Sequence, residues 1–243
     1  MTTTTYAPPR HERRSRAVRS RAVRLFCLML ALLFTAGYLL GLRTGRSERL
    51  SALTDGIAAF AAAAFSKSNV PDGIELPPFI TEELLTVNPY SRPGEYLERV
   101  NAIVIHYVGN PGTSAAANRS YFQGLADSGE TSASSNLIVG LEGETLLCVP
   151  LNEVAYCSNS RNYDTVSIEF CHPDDTGRPT EETYASLVRL TAWLCELYGL
   201  DPTADVIRHY DVIGKECPRY YVRNEDAWQQ FKRDVTAAMN KGD

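Results

Sequence analysis

The sequence predicts an α/β domain in which a central, mostly mixed β-sheet is flanked by helices, preceded by one N-terminal transmembrane helix. Three observations predict it. Short β-branched runs alternate with segments of helical periodicity after residue 100. A proline-broken stretch separates this region from an Ala-rich one, and an uninterrupted apolar run lies near the N-terminus.

The N-terminal third is read first. Seven arginines lie between Arg10 and Arg24, and the eighteen residues from Leu25 to Leu42 contain no ionisable side chain except Cys27 and Tyr38. As a helix this run would be about 27 Å long, close to the roughly 30 Å of a bilayer's hydrocarbon core. Residues 1–24 are therefore expected as a basic cytoplasmic tail and 25–42 as a signal anchor, with the rest of the chain extracytoplasmic by the positive-inside rule. Arg43, Arg46 and Arg49 soften that asymmetry, and secretion after signal cleavage is the alternative. Residues 43–91 read as a stalk or linker: Ala- and Ser-rich at first, then interrupted by Pro71, Pro77, Pro78, Pro89 and Pro93, which exclude a long helix. The domain proper is expected over 92–240.

Within it, Ala102 to Val108, Leu137 to Leu141, Thr145 to Val149, Thr165 to Cys171 and Asp205 to His209 read as strands of one sheet. Between Thr180 and Gly199, residues Tyr184, Leu187, Val188, Thr191, Leu194, Cys195 and Tyr198 recur at helical spacing. Glu181 and Glu182 in the first turn and Gly199 at the end fit the helix polarity. Ser114 to Ala126 and Glu225 to Met239 are two further helices.

Charge narrows the function classes. Residues 1–49 hold ten of the 24 Lys and Arg and two of the 29 Asp and Glu, leaving 14 basic against 27 acidic residues in the remaining 194, a net −13. Such a surface disfavours nucleic acid and would equally repel an anionic polymer, so affinity for one must come from a site and not from bulk charge.

Chemistry concentrates in two places. His106 follows Ile103-Val104-Ile105, at the end of a buried strand, where a rigid scaffold can aim an imidazole; taken alone, a histidine satisfied by a backbone partner is the commoner case. The segment from His209 through Gly214 and Lys215 to Cys217 offers an imidazole, an ammonium and a thiol within a short loop. Imidazole and thiolate both suit zinc, and two histidines with one cysteine would leave a fourth position open, as catalytic rather than structural sites do. A buried thiol or half of a disulfide is the competing reading of Cys217. Cys148, Cys157, Cys171 and Cys195 are read as small apolar packing groups, with an extracytoplasmic disulfide among the first three left open.

His106, the loop from His209 to Cys217, and the run Asp164-Thr165-Val166-Ser167-Ile168-Glu169 together resemble the type 2 N-acetylmuramoyl-L-alanine amidases, a group with the fold of phage lysozyme-type amidases and peptidoglycan recognition proteins. The resemblance spans roughly residues 92 to 240. It implies Zn2+ held by His106, His209 and Cys217, Lys215 as the cation near the reacting carbonyl, and Glu169 as the catalytic carboxylate. It also implies peptidoglycan or a muropeptide as substrate, cut between N-acetylmuramic acid and L-alanine. Two alternatives accompany it, a non-catalytic peptidoglycan-binding module and a zinc peptidase acting within the stem peptide. The chain departs from the family pattern at Ser134-Ser135-Asn136, where many members carry a tyrosine. Asn136 is a candidate for that vacant role. Arg161 and Asn162, ahead of the Glu169 strand, and His172, in a loop beside Pro173, are candidate substrate contacts.

Overall fold

The computed structural model describes residues 68–71 and 73–240, which form one compact unit from Asn69 onward. The expected tail over 1–24, the span over 25–42 and the stalk as far as residue 67 lie outside the described residues. Among the described residues, no helix is long and apolar enough to cross a membrane.

Six strands make a single sheet: β1 (Ile80–Glu82), β2 (Ala102–Tyr107), β3 (Leu137–Val139), β4 (Thr145–Leu147), β5 (Thr165–Phe170) and β6 (Val206–Arg208), in the order β1-β4-β3-β5-β2-β6. Only the β3–β4 hairpin is antiparallel; every other pairing is parallel, so the sheet is mixed, as expected. Among the described residues the helices are α1 (Ala115–Ser128), α2 (Glu181–Tyr198), α3 (Pro202–Asp205), α4 (His209–Ile213), α5 (Arg219–Arg223) and α6 (Glu225–Met239).

The long helices are delimited as their sequences demand. Thr180 caps α2 by accepting from the Thr183 amide, Glu181 and Glu182 sit in its first turn, and Gly199 closes it at φ 66°, a left-handed conformation that a glycine adopts without a Cβ penalty. Ser114 caps α1 the same way through the Ala117 amide.

Side chains alternate across the strands and fill two cores. On one face Ile103, Ile105, Ile168 and Phe170 pack with Leu187, Leu190 and Leu194 of α2 and with Trp228 and Phe231 of α6. On the other, Val108, Ile138, Leu146 and Cys148 pack under Phe122 and Leu125 of α1.

The domain boundary is corrected. The linker expected over 43–91 contains β1, which pairs in parallel with β4, and it buries Ile80 and Leu85. Further upstream the Asn69 side chain donates to the Val100 and Tyr198 carbonyls (2.7 and 2.9 Å) and accepts from the Val100 amide (2.9 Å). Pro77 and Pro78 argue against a helix here but not against an edge strand, which has one unpaired side and tolerates proline at its start. Arg92, the expected first residue of the domain, is interior. Its guanidinium forks onto Glu153 (2.8 and 3.0 Å) and donates to the Leu85 carbonyl (2.7 Å).

Candidate metal centre and active-site cleft

Strand register builds the centre. In the β2–β6 pair Ile105 stands opposite Arg208, so the next residues along, His106 and His209, come side by side, their ring centroids 4.5 Å apart. In the β2–β5 pair His106 stands opposite Glu169, so the imidazole and the carboxylate leave the same face of adjacent strands. Past β6 the chain makes the short helix α4 and turns at Gly214 (φ 73°), whose amide closes onto the Tyr210 carbonyl at 2.7 Å. The Tyr210 amide then donates to the Cys217 carbonyl (2.9 Å), folding the loop back on itself. This brings the Cys217 thiol to 3.8 Å from His106 Nδ1.

The donor atoms of His106, His209 and Cys217 all lie within 4.8 Å of one another, and all three residues are buried. A tetrahedral zinc with Zn–N near 2.05 Å and Zn–S near 2.3 Å separates its donors by about 3.3–3.8 Å, so the trio needs only a small contraction to fit. Each imidazole has a second partner that fixes its orientation. His106 Nε2 meets the buried Ser158 hydroxyl at 3.1 Å, and His209 Nε2 meets Asn159 Oδ1 at 2.7 Å. An amide oxygen only accepts, so His209 carries its proton on Nε2 and leaves Nδ1 free as a ligand atom.

Burial sets the protonation of the trio in the absence of metal. Burial holds the His106 imidazole well below its ordinary value, with His209 and Lys215 adding to the effect; burial and then Lys215 lower His209. Both rings are thus neutral ligands near pH 7. Burial pushes the Cys217 thiol up to about 12, so ligation requires displacing its proton. Burial also raises Glu169 to about 7, opposed by Lys215 and by the Cys157 thiol 3.9 Å from its Oε1. Lys215 is exposed at the cleft mouth, and its charge reaches both histidines, Glu169 and Cys217. The cleft encloses about 420 Å3, with Tyr107, Phe122 and Tyr156 among its walls and the three donors, Glu169 and Lys215 lining it.

Residues 96–220 match the family model described as N-acetylmuramoyl-L-alanine amidase. The chain belongs to this family. It is 32% identical over 186 residues to the N-acetylmuramoyl-L-alanine amidase BlyA of Bacillus subtilis (strain 168), covering 66% of this chain and 47% of that protein. It is 33% identical over 172 residues to the amidase CwlL of Bacillus licheniformis, with the same coverage. The chain thus spans about half the length of these curated relatives. Among solved structures it resembles a mutant endolysin from Bacillus subtilis and the catalytic domain of XlyA. Each has a TM-score of 0.55 and 26% identity and covers 64% of this chain, against 97% and 98% of those chains.

The remaining candidates divide in this family member. Asn162 does line the cleft, but its Oδ1 is committed to the amides of Cys157 and Ser158 (3.1 and 2.6 Å), so it shapes the loop that carries the histidine partners. Two expectations are corrected, at Asn136 and His172. Asn136 is fully buried, and its amide donates to the Pro150 and Glu153 carbonyls and accepts from Ser167; it fastens the β3–β5 region and cannot touch substrate. His172 is not a surface residue: its ring is buried against the carbonyls of Asp174 (2.6 Å) and Val108 (2.9 Å) and stacks on Tyr107. Arg161 pairs with Asp164 at 2.8 Å and is not among the residues that line the cleft. Conversely, Ser158, Asn159 and Cys157 escape sequence reading. Nothing in a Ser-Asn-Ser loop signals that it will meet imidazoles some fifty residues away in each direction. No disulfide forms among Cys148, Cys157, Cys171, Cys195 and Cys217, which are all free; Cys148, Cys171 and Cys195 are buried packing groups, whereas Cys157 and Cys217 line the cleft.

Proposed function

We propose that this protein is a zinc-dependent hydrolase that cleaves the lactyl-amide bond joining N-acetylmuramic acid to L-alanine in peptidoglycan. The observation that carries the reading is the convergence of two oriented, neutral imidazoles and one thiol beside Glu169, in a chain that belongs to the amidase family. The curated relatives named as amidases support the substrate.

Zinc bound by His106, His209 and Cys217 would supply Lewis acidity, polarising the amide carbonyl and making water acidic enough to attack near neutral pH. Ser158 and Asn159 hold the two rings in orientation, and Asn159 keeps His209 in the ligating tautomer. Glu169, with its proton affinity raised to about 7, takes the proton of the attacking water and delivers it to the departing L-alanine nitrogen. The Lys215 ammonium, free to swing at the cleft mouth, stabilises the negative charge that develops on the carbonyl oxygen. The cleft lining is aromatic and polar, with Tyr107, Tyr156, Ser134 and Lys215 in it.

The test is mass spectrometry of digested cell wall with and without chelator. Release of peptides beginning with L-alanine, leaving a free muramic carboxyl and requiring metal, is the expected result. Cuts between amino acids would establish a peptidase, and binding without products would establish a recognition module.

The location belongs to the same proposal. The Arg-rich tail and the apolar run over 25–42 would hold the domain at the outer face of the cell membrane. Fractionation should find the protein in membranes with its N-terminus intact; a mature N-terminus just beyond residue 40 would show secretion instead.

A further inference from the structure

A second cavity, of about 280 Å3, opens on the opposite side of the sheet from the cleft and shares no lining residue with it. Glu169 and Phe170 point to opposite faces of β5, and the Tyr221 ring at the floor of this cavity packs edge-on against Phe170 (6.0 Å). The walls are the Arg178–Glu181 turn that leads into α2, Tyr184 on α2, Tyr220 on α5, and Ala227 and Gln230 on α6.

Two polar groups here are unspent. Tyr221 is 1% exposed, yet its hydroxyl is buried with no hydrogen-bond partner among the described residues. Tyr221 lines the cavity together with Tyr184, Tyr220 and Arg178. Buried phenols rarely go unpaired, because the lost hydration is uncompensated. The Arg178 guanidinium is exposed and lies over the Tyr220 ring at 5.8 Å, with no carboxylate paired to it among the described residues. By contrast, the Tyr184 hydroxyl and the Gln230 amide are both taken up by Asp234 (2.5 and 2.8 Å).

A guanidinium and a phenol are donors suited to one carboxylate. Glu181, three residues from Arg178 and exposed at the rim, is an acceptor suited to an amide N–H. Together with Asp234 nearby, it would repel a polyanion such as a phosphate-linked polymer. The tyrosine faces and the Ala227 methyl accept small apolar side chains. The volume is near the lower end for ligand sites and fits about two residues of peptide. The geometry points to a binding site for the carboxylate terminus of a short peptide, independent of the cleft and of the amidase reading.

Titration of the full chain with N-acetyl-alanyl-alanine and with its C-terminal amide, followed by calorimetry or ligand-observed NMR, tests this. The free acid should bind, and the amide should bind roughly tenfold or more weakly. Arg178→Gln and Tyr221→Phe should each weaken the acid to a similar degree, while wall hydrolysis stays unchanged. Glu169→Gln, which alters only the cleft, should leave peptide binding as it was. Equal affinity for acid and amide, or binding untouched by both Arg178→Gln and Tyr221→Phe, would overturn the assignment. So would Tyr221→Phe merely raising thermal stability with no change in binding, since the hydroxyl would then be only a packing defect.

Discussion

Replacing Glu169 with glutamine should both disable the enzyme and stabilise the fold, and the second effect has a calculable pH dependence. The native structure lifts this carboxyl from an ordinary 4.5 to about 7, chiefly by burial. Between those two pH values the native state therefore holds a proton that the unfolded chain has already released, so stability falls as pH rises through that window and levels off above about 7. At about 1.4 kcal/mol per tenfold, the displacement from 4.5 to about 7 is worth at most about 3 kcal/mol, a ceiling because the cleft is open to solvent. Glutamine keeps the shape and never ionises. For a domain of this size, Glu169→Gln should melt up to about 6–12 °C higher than the parent at pH 8 and at the same temperature at pH 4. The measurement is calorimetry on chelator-treated protein, because a bound cation would favour the carboxylate and mask the effect. Hydrolysis of purified wall by the metal-loaded variant should drop by about 10²–10⁴-fold. A variant no more stable than the parent at pH 8, or stabilised equally at both pH values, would refute the claim that desolvation dominates at Glu169.

The parent is expected to purify with about one zinc per chain and Cys217→Ser with far less, read by elemental mass spectrometry, because a hydroxyl is a much poorer ligand than a thiolate. Asn159→Ala removes the oxygen that fixes His209 and should weaken zinc about 10–100-fold in chelator competition, with a loss of about 1 kcal/mol in apo-protein stability because alanine tolerates the φ of 53° at this position less well than asparagine. Glu153→Ala strands the buried Arg92 guanidinium and should cost about 3–5 kcal/mol in denaturant unfolding, although neither residue approaches the cleft.

What the sequence made legible was whatever periodicity and residue chemistry carry locally. The apolar spacing of α2 and its Thr-Glu-Glu start, the β-branched run of β5, and the His-Lys-Cys loop each announce themselves within about twenty residues. What stayed hidden depends on contacts between distant segments. β1 is three residues long behind two prolines and exists because β4 offers a partner edge. Asn136 and His172 have the chemistry of ligand-contacting groups, and only the carbonyls that close around them turn them into internal fasteners. Ser158 and Asn159 gain their role from where η-turn residues Asn159–Arg161 place them against the histidines.

The donors come from widely separated parts of the chain: His106 from β2, and His209 and Cys217 more than a hundred residues later. No partial translation product that stops short of α4 possesses the trio, and a stretched polypeptide passing through a narrow conduit would keep its members tens of ångströms apart. On the proposed zinc reading, metal capture would wait until β6 has docked beside β2, which would tie the onset of chemistry to completion of the fold.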